Sequence, residues 1–382
     1  MPSYNARCIP NNAVPNGHRR EHCSARSGQI TTIGANKGQQ VRLERYAPDG
    51  LDPLDLAIYT VIDVRDEEPD AVFADYRDTE STHHGLRDRL GLSSTDPFTG
   101  KINSEVPHPA FTDDAAAAKS EFVERITDNG HHRGLIVIAP HGGNIEQHTD
   151  EQAERVGKQL STKCVSVWVC KGFKQGGGAF DRWHITSTDI SKESFPKLKS
   201  VIGRPFEYAV AFHGWGHDSI CIGGSAPPDL KQQIKAAVAS AITGSEIAVA
   251  IDDDGTCHQD FNGNDPKNIV NHLGTNGIQI EQLEESRARF GIQIADTVAT
   301  VIGPKIKVCT APVFEGSSAW TCLLSEYRLR HTGGIADPAG LDIFHLMRNP
   351  APPVPHSELP QGKYRSLYRT VMESYGGAPR RN

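Results

Sequence analysis

"GLIVIAPHGGNIEQHTDEQAERV", residues Gly134–Val156, decides how this chain folds. Leu135–Ala139 is an unbroken apolar run of strand length. Gly142 and Gly143 follow almost at once. A helix is predicted from Thr149, with Thr149 as N-cap and Gln152 three residues on as the second half of a capping box. A buried strand that ends in a glycine turn and feeds a helix is the repeating unit of an open α/β sheet. His141 and Glu146 lie on that turn, five residues apart. On a regular helix such a spacing separates two side chains by about 140°, too far to converge. Glycine reaches backbone angles that other residues avoid, so a glycine turn can fold the carboxylate back toward the imidazole.

The alternation continues down the chain. Strands are predicted at "CVSVWVCKGF" (164–173), "RWHITSTDI" (182–190), "EYAVAFHGW" (207–215), "EIAVAIDDD" (246–254) and "GIQIEQ" (277–282). Helices are predicted at "DAAAAKSEFVERITDNG" (114–130), "ESFPKLKSVIG" (193–203, with Pro196 in its first turn), "DLKQQIKAAVASAI" (229–242) and "SRARFGIQIADTVATVIG" (286–303). The pattern predicts an α/β domain over 113–310, with a mixed, mostly parallel sheet flanked by helices. Residues 1–28, rich in Pro, Asn and Arg, read as a loose arm. The short β-like runs in 29–112 read as a small N-terminal β-rich domain. The Pro-rich stretch 311–382 reads as a C-terminal extension packed on the main domain.

Composition narrows the function classes. With 37% hydrophobic and 23% charged residues, the chain has the balance of a soluble globular protein. Its net charge of −7 disfavours nucleic acid, which is bound through clustered Lys and Arg. No run approaches the roughly 20 apolar residues of a membrane span. The N-terminus lacks the apolar core of a signal peptide, so synthesis is expected in the cytoplasm, a reading compatible with release by lysis. The eight cysteines are scattered with no CxxC pair and are expected to be free thiols. HExxH, GxSxG and the phosphate-binding glycine loop are all missing, and "IDDDGTCHQDFNGND" has its glycine misplaced for an EF-hand. The sequence leaves the oligomeric state open.

In open α/β sheets, ligands sit beyond the carboxyl ends of the strands. Three predicted strand ends carry polar groups there: 135–139 leads into His141 and Glu146, 207–212 into His213, and 277–280 into Glu281. Two histidines and a carboxylate make a catalytic zinc site with a fourth position left for water. A further glutamate nearby is the general base such a site needs.

The motifs "APHGGNIEQHTDE", "WHITSTD", "FHGWG", "NIVNHL" and "NGIQIEQ", in this order, resemble the poly-γ-glutamate hydrolase family. Some members of that family carry the label of phage-related replication proteins, and its fold is similar to that of zinc carboxypeptidases. The resemblance covers roughly residues 115–303, about half the chain. It implies that His141, Glu146 and His213 hold zinc. It implies that Glu281 activates the water and later protonates the leaving amine. It also implies that His184, Asn268 and Asn271 line the site. Read by themselves, these three fit equally well as a half-buried strand histidine and two loop-stabilising asparagines. Arg287 could take a substrate carboxylate in a forked pair, or be a solvated helix arginine. Arg182 and Lys174 could form a cationic wall for a polyanionic substrate, or be solvated loop charges. His217 is a weaker candidate of the same kind. The expected function is zinc-dependent hydrolysis of amide bonds in glutamyl polymers or peptides. The alternatives are an amidase on small N-acyl amino acids and a non-catalytic, nucleic-acid-associated phage protein.

Overall fold

The computed structural model describes residues 3–10, 20–46, 53–66, 71–75, 85–92, 97–255, 257–258 and 261–308. The expected C-terminal extension lies outside them.

The N-terminal part contains β1 (Ser3–Pro10), β2 (His22–Ala25), α1 (Ser27–Ile33), β3 (Gln40–Tyr46), β4 (Pro53–Val64), β5 (Ala71–Asp75), α2 (Gly85–Leu90) and β6 (Phe98–Asn103). Its six strands close into a barrel in the order β1-β5-β2-β4-β3-β6. The β-rich reading therefore holds, but the expected loose arm does not: β1 and β2 are barrel strands. β1 pairs with β5 and β6, and β2 with β4 and β5. Strand β4 shows why the barrel is attached to the rest. Successive strand side chains point to opposite faces. Ala57, Tyr59 and Val61 point into the barrel core, while Leu56 and Ile58 join a second cluster that contains Phe122, Trp168 and Trp183 of the following domain. One strand thus serves two cores.

The second part contains α3 (Asp113–Lys119), β7 (Phe122–Thr127), β8 (Leu135–Gly143), α4 (Thr149–Gln159), β9 (Val165–Gly172), α5 (Ala179–Trp183), α6 (Pro196–Lys199), β10 (Phe206–Gly214), β11 (Ser219–Gly223), α7 (Pro228–Ala241), β12 (Ala248–Ile251), α8 (Ile269–Leu273), β13 (Gly274–Gln282) and α9 (Glu284–Ile302). The sheet order is β12-β11-β13-β10-β8-β9-β7. The central strands β13, β10, β8 and β9 run parallel, and β7 and the β11/β13 pair are antiparallel. This is the mixed, mostly parallel α/β sheet that the sequence predicts. Both faces are covered. Helices α4, α7 and α9 pack on one through Val156, Ile234 and Val298, and Leu198 and Val270 from α6 and α8 cover the other. In α9 the buried positions Gly291, Ile294, Ala295, Val298 and Ile302 follow the helical period. Each fully buried aliphatic side chain there contributes about 1.5–3 kcal/mol.

Four local expectations are corrected. The segment 114–130 is not one helix: Ser120 caps α3 in the left-handed conformation, and Phe122–Thr127 becomes edge strand β7 with Phe122 in the core. Its aromatic and β-branched residues pack better on a sheet than in a helix. The capping box does not form, because His148 takes the N-cap position and the Gln152 amide turns to Gln282 instead. Residues 182–190 form no strand: α5 ends at Trp183, and 184–186 are irregular. The thiols are not all free, because Cys221 and Cys257 are disulfide-bonded. Among the described residues, no helix is long and apolar enough to cross a membrane.

Candidate metal centre and active site

Strand β8 is buried from Leu135 to Gly142, and its end carries His141 into the interior. The chain then turns sharply. Gly143 has φ +67°, and a Cβ at Gly142 would stand 2.5 Å from the Asp150 Cβ, so neither position admits a side chain without a shift. The Glu146 N–H closes the turn on the His141 carbonyl at 2.8 Å. Asp150 braces it by accepting from the Gly143 N–H at 3.1 Å. The carboxylate is thereby folded back, with Glu146 Oε1 3.0 Å from His141 Nδ1.

His213 enters from the end of β10. Its Nδ1 lies 3.2 Å from His141 Nδ1 and 3.4 Å from Glu146 Oε2. The Gly214 N–H donates to the same Oε2 at 2.9 Å. All three side chains are buried, with exposures of 2% (His141), 5% (Glu146) and 3% (His213). Burial raises the Glu146 carboxyl, but His141 and His213 outweigh it and hold the group well below its usual range. Burial pushes His213 down, toward the neutral imidazole. His141 is pushed down by burial and raised more by Glu146.

These residues fit a metal ion. The His141 Nε2–H donates to the Ile185 carbonyl at 2.8 Å, which fixes the ring and leaves Nδ1 to face the cluster. With the hydrogen on Nε2, His141 Nδ1 and Glu146 Oε1 are two acceptors 3.0 Å apart, so a proton or a cation must lie between them. Around a tetrahedral zinc with bonds of about 2.0–2.1 Å, ligand atoms stand about 3.3 Å apart. His141 Nδ1 lies 3.0 Å from Glu146 Oε1 and 3.2 Å from His213 Nδ1, both near that value, and His213 Nδ1 lies 3.4 Å from the other carboxylate oxygen, Oε2.

Glu281 sits on β13 in direct register with His213 on β10, so the two share a sheet face. It is 5% exposed. Burial raises its carboxyl well above the usual range, Glu146 adds to this, and Arg287 opposes it. Its Oε1 accepts from Gln279 Nε2 at 2.9 Å.

The remaining predicted residues divide. His184 reaches the centre, with its ring centroid 4.4 Å from that of His141 and its Nε2 3.9 Å from Glu146 Oε1. Asn268 is buried, caps α8 by accepting from the Val270 N–H, and donates from Nδ2 to Gln279 Oε1 at 2.8 Å. It touches the site through Gln279. Asn271 donates to the Gly263 and Asp265 carbonyls and ties a loop together. Arg287 is not solvated: it is buried, donates from Nε to the Gln147 carbonyl at 2.9 Å, and also bonds the Gln282 carbonyl. Arg182 is not a cleft wall either. It is buried, with Asp55 and Glu121 as its charged neighbours in the barrel interface. Lys174 folds onto the Gly177 carbonyl of its own loop, and His217 joins a ring cluster with Trp215 and His258.

Sequence reasoning missed Gln279 and Glu21. Period two places Gln279 on the same strand face as Glu281, so that signal was present. Glu21 lies in the segment read as an arm, yet its Oε2 is 3.2 Å from His184 Nδ1.

Fold and site together define a mixed α/β protein with a buried His/Glu cluster at the strand ends of its sheet. Residues 113–296 match the model of the poly-gamma-glutamate hydrolase family, which bears out the resemblance read from the motifs. The UPF0714 protein YndL of Bacillus subtilis (strain 168) is 31% identical over 93 residues, 24% of this chain. That match spans about a third of YndL, 32% of its length. Among solved structures, a bacteriophage poly-gamma-glutamate hydrolase is 19% identical, covering 48% of this chain and 89% of its own at a TM-score of 0.38. A metallo-carboxypeptidase from Burkholderia cenocepacia is 10% identical, covering 56% and 74% at a TM-score of 0.33.

Proposed function

We propose that the protein is a zinc-dependent hydrolase of amide bonds in glutamyl polymers or peptides, with residues 113–308 as its catalytic domain. The observation that carries this reading is the buried cluster in which His141 and His213 meet each other and each faces one oxygen of Glu146, with Glu281 in register with His213. His141, Glu146 and His213 would hold the zinc. When bound, zinc polarises the scissile carbonyl and lowers the pKa of water toward about 7.

The chain's own residues supply the proton traffic. Glu281 takes one proton from the attacking water as its oxygen bonds to the carbonyl carbon. The same carboxyl returns that proton to the nitrogen as the C–N bond breaks, releasing an amine and a carboxylic acid. Burial, helped by the nearby Glu146, disfavours the charged form of Glu281 and makes it a stronger base than an ordinary carboxylate. Arg287 holds the Gln282 carbonyl at the end of the same strand and keeps the base in place.

The test is elemental analysis of the purified protein, followed by incubation with γ-linked polyglutamate, α-linked polyglutamate and an N-acylglutamate. Near-stoichiometric zinc and cleavage of the γ-linked polymer are expected. Exclusive cleavage of the N-acylglutamate would favour the small-substrate amidase instead. Zinc content unchanged in both His141→Ala and His213→Ala would remove these residues from the metal site.

A further inference from the structure

We infer that the N-terminal barrel completes this centre, with Glu21 as a positioning residue that fixes the His184 imidazole so that Nε2 points into the site as a hydrogen-bond acceptor. The orientation rests on geometry alone. The use made of it rests on the proposed hydrolase reading.

Three consecutive barrel residues grip the segment that carries His184. Arg20 pairs with Asp181 at 2.6 Å and lies over the Phe180 ring, which stacks on His184 with centroids 4.4 Å apart. Glu21 faces His184 Nδ1 at 3.2 Å. His22 Nε2 meets Asp189 Oδ2 at 2.8 Å. From α2, Arg89 donates to the His184 carbonyl at 3.0 Å. The wall of the site between 180 and 189 is thus shaped by the barrel, although it belongs to the other domain.

The tautomer follows from the partners. Glu21 Oε1 accepts from both the Thr186 N–H (2.6 Å) and its hydroxyl (2.5 Å), so the group serves as a carboxylate acceptor. Its Oε2 therefore accepts a hydrogen bond from the His184 Nδ1–H, which places the hydrogen on Nδ1 and the lone pair on Nε2. That Nε2 is the atom 3.9 Å from Glu146 Oε1. A carboxylate that fixes an imidazole's tautomer and aim is a recurring element of catalytic sites. Simple cohesion between domains would not require it. Burying a carboxylate costs several kcal/mol unless it is fully paired, and apolar contacts such as those of Leu56 and Ile58 hold the interface without that cost. In the reaction, His184 accepts a hydrogen bond from one hydrogen of the attacking water while Glu281 removes the other.

The experiment uses the full chain and the variant Glu21→Gln. In the metal-free protein, ¹⁵N-histidine NMR should show wild-type His184 as the Nδ1–H form, with the resonance assigned by its loss in His184→Gln. The glutamine amide donates where the carboxylate accepted, so Glu21→Gln should convert His184 to the Nε2–H form. With zinc and γ-linked polyglutamate, kcat should fall about 10- to 100-fold with zinc content unchanged. A wild-type Nε2–H form, or a Glu21→Gln protein with wild-type NMR signature and kcat, overturns the inference. Should Glu21→Gln fail to fold, His184→Gln carries the kinetic test, and wild-type kcat in it is equally fatal. A wild-type protein without zinc or hydrolysis would defeat the proposed function, and the NMR result would still decide the Glu21–His184 pair.

Discussion

The Gly214 N–H donates to Glu146 across 2.9 Å, and the same residue leaves room for the Arg287 guanidinium, which occupies the space where a Cβ at 214 would be. Main chain, buried carboxylate and buried cation therefore meet at one residue. Gly214→Ala is expected to displace Arg287 from the Gln147 and Gln282 carbonyls. Overpacking of this kind costs about 1–3 kcal/mol. Urea denaturation of the metal-free protein should show that loss, and zinc titration a parallel weakening. An unchanged midpoint and affinity would contradict the tight packing at this position.

Glu281→Gln should keep the metal and lose about 10²- to 10⁴-fold in hydrolysis, the usual contribution of a general base. Wild-type turnover in this variant refutes the assignment of the proton carrier.

The same substitution has a thermodynamic signature in the metal-free protein. The folded pKa of Glu281 is raised above its unfolded value. Its contribution is therefore fully present below the ordinary carboxylate range near 4.3 and is lost as pH rises through the raised folded value. Glu281→Gln removes that loss. The stability difference, variant minus wild type, should grow in the variant's favour between pH 4 and pH 8. A pH-independent difference in denaturation midpoints would contradict it.

Asp128 supplies the opposite sign, far from the centre. Burial raises its carboxyl, but Arg204 at 2.6 Å through both oxygens, the Ser166 hydroxyl and the Gly130 N–H hold it well below the usual range. The stability it confers is present above the unfolded pKa near 3.9 and lost as pH falls through the lower folded value. Asp128→Asn should cost about 1.5–3 kcal/mol at neutral pH, as for a hydrogen bond to a charged group. Its deficit should shrink toward pH 2. An equal deficit at both pH values would show that the pair contributes nothing through charge.

Cys221 stands opposite Glu281 in the β11/β13 register, and its bond to Cys257 closes a loop with a sequence separation of 36. Phe261, four residues beyond Cys257, accepts through its carbonyl from Gln279, which also supports Glu281. In the chain-entropy picture, a loop of this size confers about 3–4 kcal/mol. Reduction should lower the denaturation midpoint and slow hydrolysis together. Full activity after verified reduction would separate the loop from the base.

Legibility in the sequence followed physical range. Strands β8, β9, β10 and β13 were readable because continuous apolar runs mark buried parallel strands. His141, Glu146, His213 and Glu281 were readable because strand ends in such sheets converge on one edge. His184 was placed on a strand that does not exist: alternation in "WHITST" mimics a strand, while Arg89 and Gln40 from the barrel hold that backbone in another shape. For Arg287 and Arg182 the sequence leaves substrate binding and a solvated charge open, because nothing local shows that distant carbonyls and carboxylates will bury them. Glu21 carried no periodic signal at all, and only the tertiary pairing of β2 reveals where it goes.

Strand β4 bears on any attempt at miniaturisation. A fragment beginning near residue 113 would retain every proposed zinc ligand and the base, yet it would strip Leu56 and Ile58 from the aromatic cluster of Phe122, Trp168 and Trp183. The wetted patch left behind would promote self-association. The amino-terminal barrel thus shields apolar surface of the sheet domain that follows it, and shortening should show itself as insolubility before any change in chemistry can be scored.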